Sequence, residues 1–204
     1  MRTGGDATRK RLLTAALRLF TQKPYDKVTL KEIESATGLS RGALMYHVPN
    51  KETLFREAVE MFVFGNNTLT ALEDSDKESL KTTICSFVKM LSDEQDYWRK
   101  EGVENINYSL VNIQMSYYSI FKESLKAAGE WYENECSLWR EVIERAIASG
   151  EIRRVDSGLY AHVFENCYLG TAYAGLPLPG GYSPEMVGEQ LLAIYSFLSL
   201  NVED

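Results

Sequence analysis

Apolar residues in this chain return every three to four positions almost from end to end, which commits it to helices packed on helices. Leu12, Leu13, Ala16, Leu17, Leu19 and Phe20 follow that period, with Arg9, Lys10, Arg11 and Arg18 between them, and Pro24 ends the run. The same period recurs over 76–91, about 94–120, 124–149, 156–175 and 184–200. No run alternates in the way a half-buried strand requires.

Helix starts are written into the sequence. Thr29 with Glu32 forms a capping box, with Val28 and Ile33 as its hydrophobic staple. Ser40 is placed to cap the next helix. Ser75 with Glu78 and Ser92 with Gln95 repeat the capping-box spacing, Asp156 caps a later helix, and Ser183-Pro184 opens the last one. Gly150 closes a long helix, and Leu176 to Tyr182 is the one loop marked by Pro and Gly.

A net charge of -7 over 204 residues argues, taken whole, against nucleic acid. The charge is unevenly spread. Residues 1–64 hold 11 Lys and Arg against 7 Asp and Glu, a net of +4, which leaves -11 for residues 65–204. That asymmetry assigns a polyanion to the first part alone and divides the chain into domains 1–64 and 65–204. Cys85, Cys136 and Cys167 are few, odd in number and far apart, which suits a reducing compartment. With no signal-peptide pattern and no apolar run of membrane-spanning length, the expected location is cytoplasmic, with no membrane partner.

Thr29 to Tyr46 reads as two short helices joined at Ala36-Thr37-Gly38-Leu39, with Gly38 at the left-handed position that ends the first. The second carries Arg41, then small Gly42 and Ala43, then Tyr46 and His47. A short helix with small residues at its start can approach a major groove closely. A helical hairpin of no special function has the same spacing; the local positive charge favours DNA.

From Thr29 through Phe55 these residues, including Thr37-Gly38-Leu39-Ser40-Arg41-Gly42-Ala43 and Pro49-Asn50-Lys51-Glu52, resemble the DNA-binding segment of TetR-type transcriptional regulators, and the likeness extends back to residue 8. The rest resembles that family in layout. The fold implied is all-α, an N-terminal three-helix helix-turn-helix domain followed by a C-terminal helical regulatory and dimerisation domain. The resemblance implies a homodimer on a palindromic double-stranded operator, released by a small-molecule effector. It further implies that Thr29, Tyr46 and Lys51 meet phosphate and that Ser40, Arg41, Gly42 and Ala43 face the groove; His47 completes the DNA-binding set. Met45 and Val48 depart from the family's usual tyrosine and phenylalanine, and Met45 has no hydroxyl to offer a phosphate.

Gly38-Leu39-Ser40-Arg41-Gly42 also satisfies the pattern of a hydrolase nucleophile elbow, but that motif needs a preceding strand. His47 and His162 are the only histidines; His162 and Glu165 could hold a metal from one helix face, but a zinc site needs three or four ligands. No catalytic residue, metal or cofactor is expected. Trp98, Tyr108, Tyr118, Trp131 and Trp139, with Gln114, Glu135 and Asn166 as polar groups, are candidates for a ligand pocket. Glu135 with Trp131, Trp139 and Tyr118 would suit a cationic or aromatic ligand. A packed aromatic core would use the same residues. Leu159, Val163, Cys167, Leu191, Tyr195 and Leu198 are candidates for a dimer interface on the last two helices. Two rivals to the main reading are a DNA-binding regulator controlled by a protein partner without a small ligand, and an all-α small-molecule carrier or enzyme.

Overall fold

The computed structural model of the chain describes residues 3–62 and 69–200. Among the described residues the fold is all-α, with nine α-helices and no strand. They are α1 (Thr3–Gln22), α2 (Leu30–Thr37), α3 (Arg41–His47), α4 (Lys51–Phe62), α5 (Leu80–Lys100), α6 (Ile106–Ile120), α7 (Ser124–Ser149), α8 (Ser157–Ala174) and α9 (Pro184–Leu198). The domain division expected at residue 64 lies outside the described residues.

α1 to α4 form a head around Leu12, Ala16, Leu17, Phe20, Ile33, Leu44, Leu54 and Phe55, all buried. That core does not close on itself. Trp98 at the end of α5 and Ile113, Tyr117 and Phe121 on or just after α6 belong to the same apolar cluster. The body, α5 with α7, α8 and α9, encloses a second core of Leu80, Ile84, Phe87, Trp139, Ile143, Phe164 and Leu191. Head and body are therefore joined through α6, which packs on α1, α4 and α7.

The helix limits differ from the periodic reading in the middle of the chain. α5 runs unbroken through Ser92, and Gln95 is buried, donating its side-chain amide to the Tyr182 carbonyl at 2.9 Å. The break falls later, where Gly102 adopts φ +81° and Val103 is buried. Ser75 does not start α5 either: Ser79 does, accepting from the Thr82 amide at 3.0 Å. Serine three residues before Glu or Gln also arises by chance on an amphipathic helix, so only the backbone geometry separates a cap from a surface residue.

One cap comes from far along the chain. The Glu151 carboxylate accepts from the Leu80 and Lys81 amides at 2.9 and 3.1 Å. A negative charge at a helix N-terminus is favourable both as an acceptor and against the helix dipole. Ile152 forms an antiparallel bridge with Ser199, tying the α7–α8 turn to the end of α9.

Candidate nucleic-acid interface and body cavity

The helix-turn-helix is built from local chemistry. Thr29 Oγ1 accepts from the Glu32 amide at 3.3 Å while Glu32 Oε2 accepts from the Thr29 amide at 2.9 Å, so the capping box is complete. Lys23 pairs with the same carboxylate, and these bonds, that of Lys23 first, lower the Glu32 pKa to about 2. Gly38 takes φ +69°, a conformation costly for a residue with Cβ, and turns the chain into Ser40. Ser40 Oγ then accepts from the Ala43 amide at 3.3 Å to start α3.

Of the residues expected to meet DNA, Thr29, Ser40, Arg41, Gly42 and Tyr46 are exposed. Tyr46 is 86% exposed, an unusual state for a tyrosine and one that leaves its ring and hydroxyl open to a partner. A Cβ on Gly42 would meet nothing within 4 Å, so its smallness is not required by the fold. Ala43 and His47 are partly covered. The His47 carbonyl accepts from Arg9 Nη1 at 2.9 Å, and Arg9 is also paired with Glu57 at 2.6 Å, so α1 clamps α3 to α4. Lys51 points inward: its ammonium donates to the Tyr25 and Val28 carbonyls at 3.0 and 3.1 Å.

The residues expected to line a pocket are divided by the fold. Gln114 and Trp131 share a cavity of about 250 Å³ with Phe62, Tyr168, Leu169 and Tyr173. Trp131 Nε1 is buried without a hydrogen-bond partner. Trp98 is fully packed in the head cluster against Phe62, and Trp139 in the body core against Phe87 and Phe164. Tyr118 is half-buried beside the head cluster, and Tyr108 is exposed. Asn166, exposed, accepts from the Tyr132 hydroxyl at 3.1 Å. Glu135 is buried; its Oε2 accepts from the Leu69 amide at 3.2 Å and its Oε1 has no hydrogen-bond partner.

Glu165, not among the residues expected to line a pocket, is equally buried and accepts from Trp139 Nε1 at 3.2 Å. Burial raises the pKa of both carboxyls to about 7, and the charge of Glu135 adds to the rise at Glu165. Glu165 sits one turn from Tyr168 and Leu169 on α8, as Glu135 does from Trp131 on α7, so each acid shares a helix face with a cavity-lining residue without lining the cavity itself.

Leu159 and Val163, considered for a dimer interface, are exposed, and Cys167 and Tyr195 are partly covered. Leu191 and Leu198 turn inward and are fully buried within one chain, while Phe197, not considered, is 68% exposed. Among the described residues no helix is long and apolar enough to cross a membrane.

Residues 12–58 match the family model described as bacterial regulatory proteins, tetR family. The chain is 29% identical over 147 residues to the HTH-type transcriptional regulator YerO of Bacillus subtilis, covering 69% of this chain and 50% of YerO. It is 43% identical over 49 residues to the HTH-type transcriptional repressor Rv1474c of Mycobacterium tuberculosis, covering 24% of this chain and 26% of the repressor. The chain thus spans half the length of YerO and about a quarter of Rv1474c. Among solved structures, the TetR family regulator PfmR of Thermus thermophilus superposes with a TM-score of 0.66 at 20% identity, over 94% of this chain and 99% of PfmR. A TetR family regulator of Cytophaga hutchinsonii does so with a TM-score of 0.65 at 17% identity, over 98% of both chains. The two superpositions establish the fold, and the sequence similarity above 30% identity covers about a quarter of the chain. Residues 12–58 of this chain are thus similar to the tetR family of bacterial regulatory proteins.

Proposed function

We propose that the protein is a transcriptional repressor that binds a palindromic operator as a homodimer and is released by a small-molecule effector. The reading makes it a regulator, not an enzyme, acting in the cytoplasm. The observation that carries it is the open face of α3. Arg41, Gly42 and Tyr46 are exposed on a helix whose neighbours are clamped from α1 and capped at their ends. Rv1474c, which shares this segment, is a repressor. The +4 charge of residues 1–64 draws that face to phosphate, while the -11 remainder is kept off the duplex.

Control by an effector is supported by the position of the cavity. Phe62, the last residue of α4, is part of its wall, and α4 begins at Lys51 beside the recognition helix. An effector that favours one placement of Phe62 biases the placement of the head. A hundredfold loss of operator affinity needs about 2.7 kcal/mol of such coupling. Dimerisation is supported by the exposed apolar residues Leu159, Val163 and Phe197 on α8 and α9.

The test is selection of binding sites from random DNA by the purified protein, followed by a screen for metabolites that release the selected site. A palindrome with two half-sites about one helical turn apart is expected. Failure to enrich any sequence overturns the reading. An operator that no small molecule releases would favour control by a protein partner.

A further inference from the structure

Arg41 is the only Lys or Arg in α3, and it is not a free cation. Its Nε is paired with Glu34 Oε1 on the last turn of α2. The Glu34 side chain is 24% exposed and the Arg41 side chain 56% exposed, so the acid is the covered, fixed partner and the guanidinium the open one. The backbone at Glu34 is held as well, since its carbonyl accepts from the Gly38 amide at 2.9 Å in closing α2.

Without a cation beside it, an acid in this position would be unfavourable. Near a helix C-terminus it faces the negative end of the dipole, and beside a duplex it faces phosphate. An exposed ion pair of this kind contributes little to stability. What the pair does provide is orientation. With Nε–H taken by the carboxylate, the planar guanidinium has its Nη1 and Nη2 edge left, and that edge matches the O6 and N7 acceptors of guanine.

We propose that Glu34 is a positioning residue that holds Arg41 by Nε so that Nη1 and Nη2 read a guanine in each half-site. The proposal rests on the DNA-binding reading above. Glu34 itself touches no base in this arrangement; it narrows the choice of a neighbour that does. Lysine at position 41 could not substitute, because it offers no second edge once paired.

The experiment is site selection with the full-length wild type, Arg41→Ala, Glu34→Ala and Glu34→Gln, with non-specific DNA affinity and thermal unfolding measured for each. The wild type is expected to enrich guanine at one half-site position, and Arg41→Ala to lose it. Glu34→Ala should lower the guanine preference there about tenfold, while non-specific affinity stays level or rises with the loss of a negative charge. Glu34→Gln, whose amide oxygen still accepts from Nε, should stay within about threefold of wild type. Should Glu34→Ala not fold, Glu34→Met carries the same expectation.

Unchanged guanine preference in Glu34→Ala overturns the proposal and leaves DNA binding intact. So does a uniform loss at every position, which would mark Glu34 as merely structural, or a wild-type site with no guanine that depends on Arg41. A wild type that enriches nothing overturns the DNA-binding reading itself.

Discussion

The Lys51 ammonium lies 4.2 Å from the centre of the Tyr25 ring and donates to the carbonyl of the same residue at 3.0 Å. With the second bond to Val28, Lys51 ties the start of α4 to the turn before α2. A lysine expected to serve phosphate thus also holds the head together. Lys51→Ala is expected to cost about 1–2 kcal/mol of stability, because it removes a cation–ring contact and two charge-assisted hydrogen bonds. It should also weaken binding to all DNA sequences and lower the salt slope by about one unit. Urea unfolding and DNA titrations at several salt concentrations measure the two effects separately. An unchanged urea midpoint would show that the inward bonds contribute nothing.

Thr29 is both the α2 cap and an exposed hydroxyl expected to meet phosphate. Thr29→Ala should destabilise the protein by about 1 kcal/mol, and Thr29→Ser should restore most of that. If the serine variant regains stability but not operator affinity, the methyl group rather than the hydroxyl matters for DNA.

The two buried carboxyls give the body a pH dependence with an unusual sign. The pKa of Glu165 is raised to about 7 by burial first, against an unfolded value of about 4.3. Between those values the folded protein holds a proton that the unfolded chain has released, so stability falls as pH rises. Urea unfolding from pH 5 to pH 8 should show a decline, of which Glu165 accounts for about 2–3 kcal/mol. Glu165→Gln keeps an acceptor for Trp139 Nε1 and removes the ionisation, so its curve should be flatter and its relative stability greatest above pH 7. A steeper decline in the variant would refute the assignment.

Gly175 follows α8, where a Cβ would lie 2.5 Å from the Tyr182 amide nitrogen and 2.6 Å from its Cα. Both neighbours are backbone, and Tyr182 is itself buried against Tyr168. Gly175→Ala is therefore expected to cost at least about 2 kcal/mol through displacement of the loop before α9. Thermal unfolding measures it; a loss below half that figure would mean the loop moves freely.

The exposed apolar residues of α8 and α9 provide a test of dimerisation. Leu159→Asp and Phe197→Asp should each weaken self-association at least about tenfold, by placing a charge in a desolvated interface. Leu191→Ala, buried within one chain, should instead lower stability by about 2–5 kcal/mol. Sedimentation equilibrium and unfolding curves distinguish these outcomes. Dimers unaffected by both aspartates would move the interface elsewhere.

The features legible in the sequence were those whose chemistry is local. Thr29 and Glu32 are three residues apart, and nothing distant is needed for one to cap the other. Gly38, Ser40, Asp156 and Ser183 acted as read, for the same reason. Period and composition alone were enough to determine an all-α chain. Local spacing misplaced the middle helices because Ser92 with Gln95 looks like a cap, whereas Gln95 is committed to Tyr182, 87 residues away. Only the packed chain decided that Lys51 faces Tyr25, that Glu151 caps α5 and that Trp139 is core while Trp131 lines a cavity. It likewise raised Glu165 to the importance of Glu135. Each of these depends on which helix lies against which. A helix face shows only that a residue is covered; the neighbouring helix determines whether what covers it is a carbonyl, a ring or an empty space.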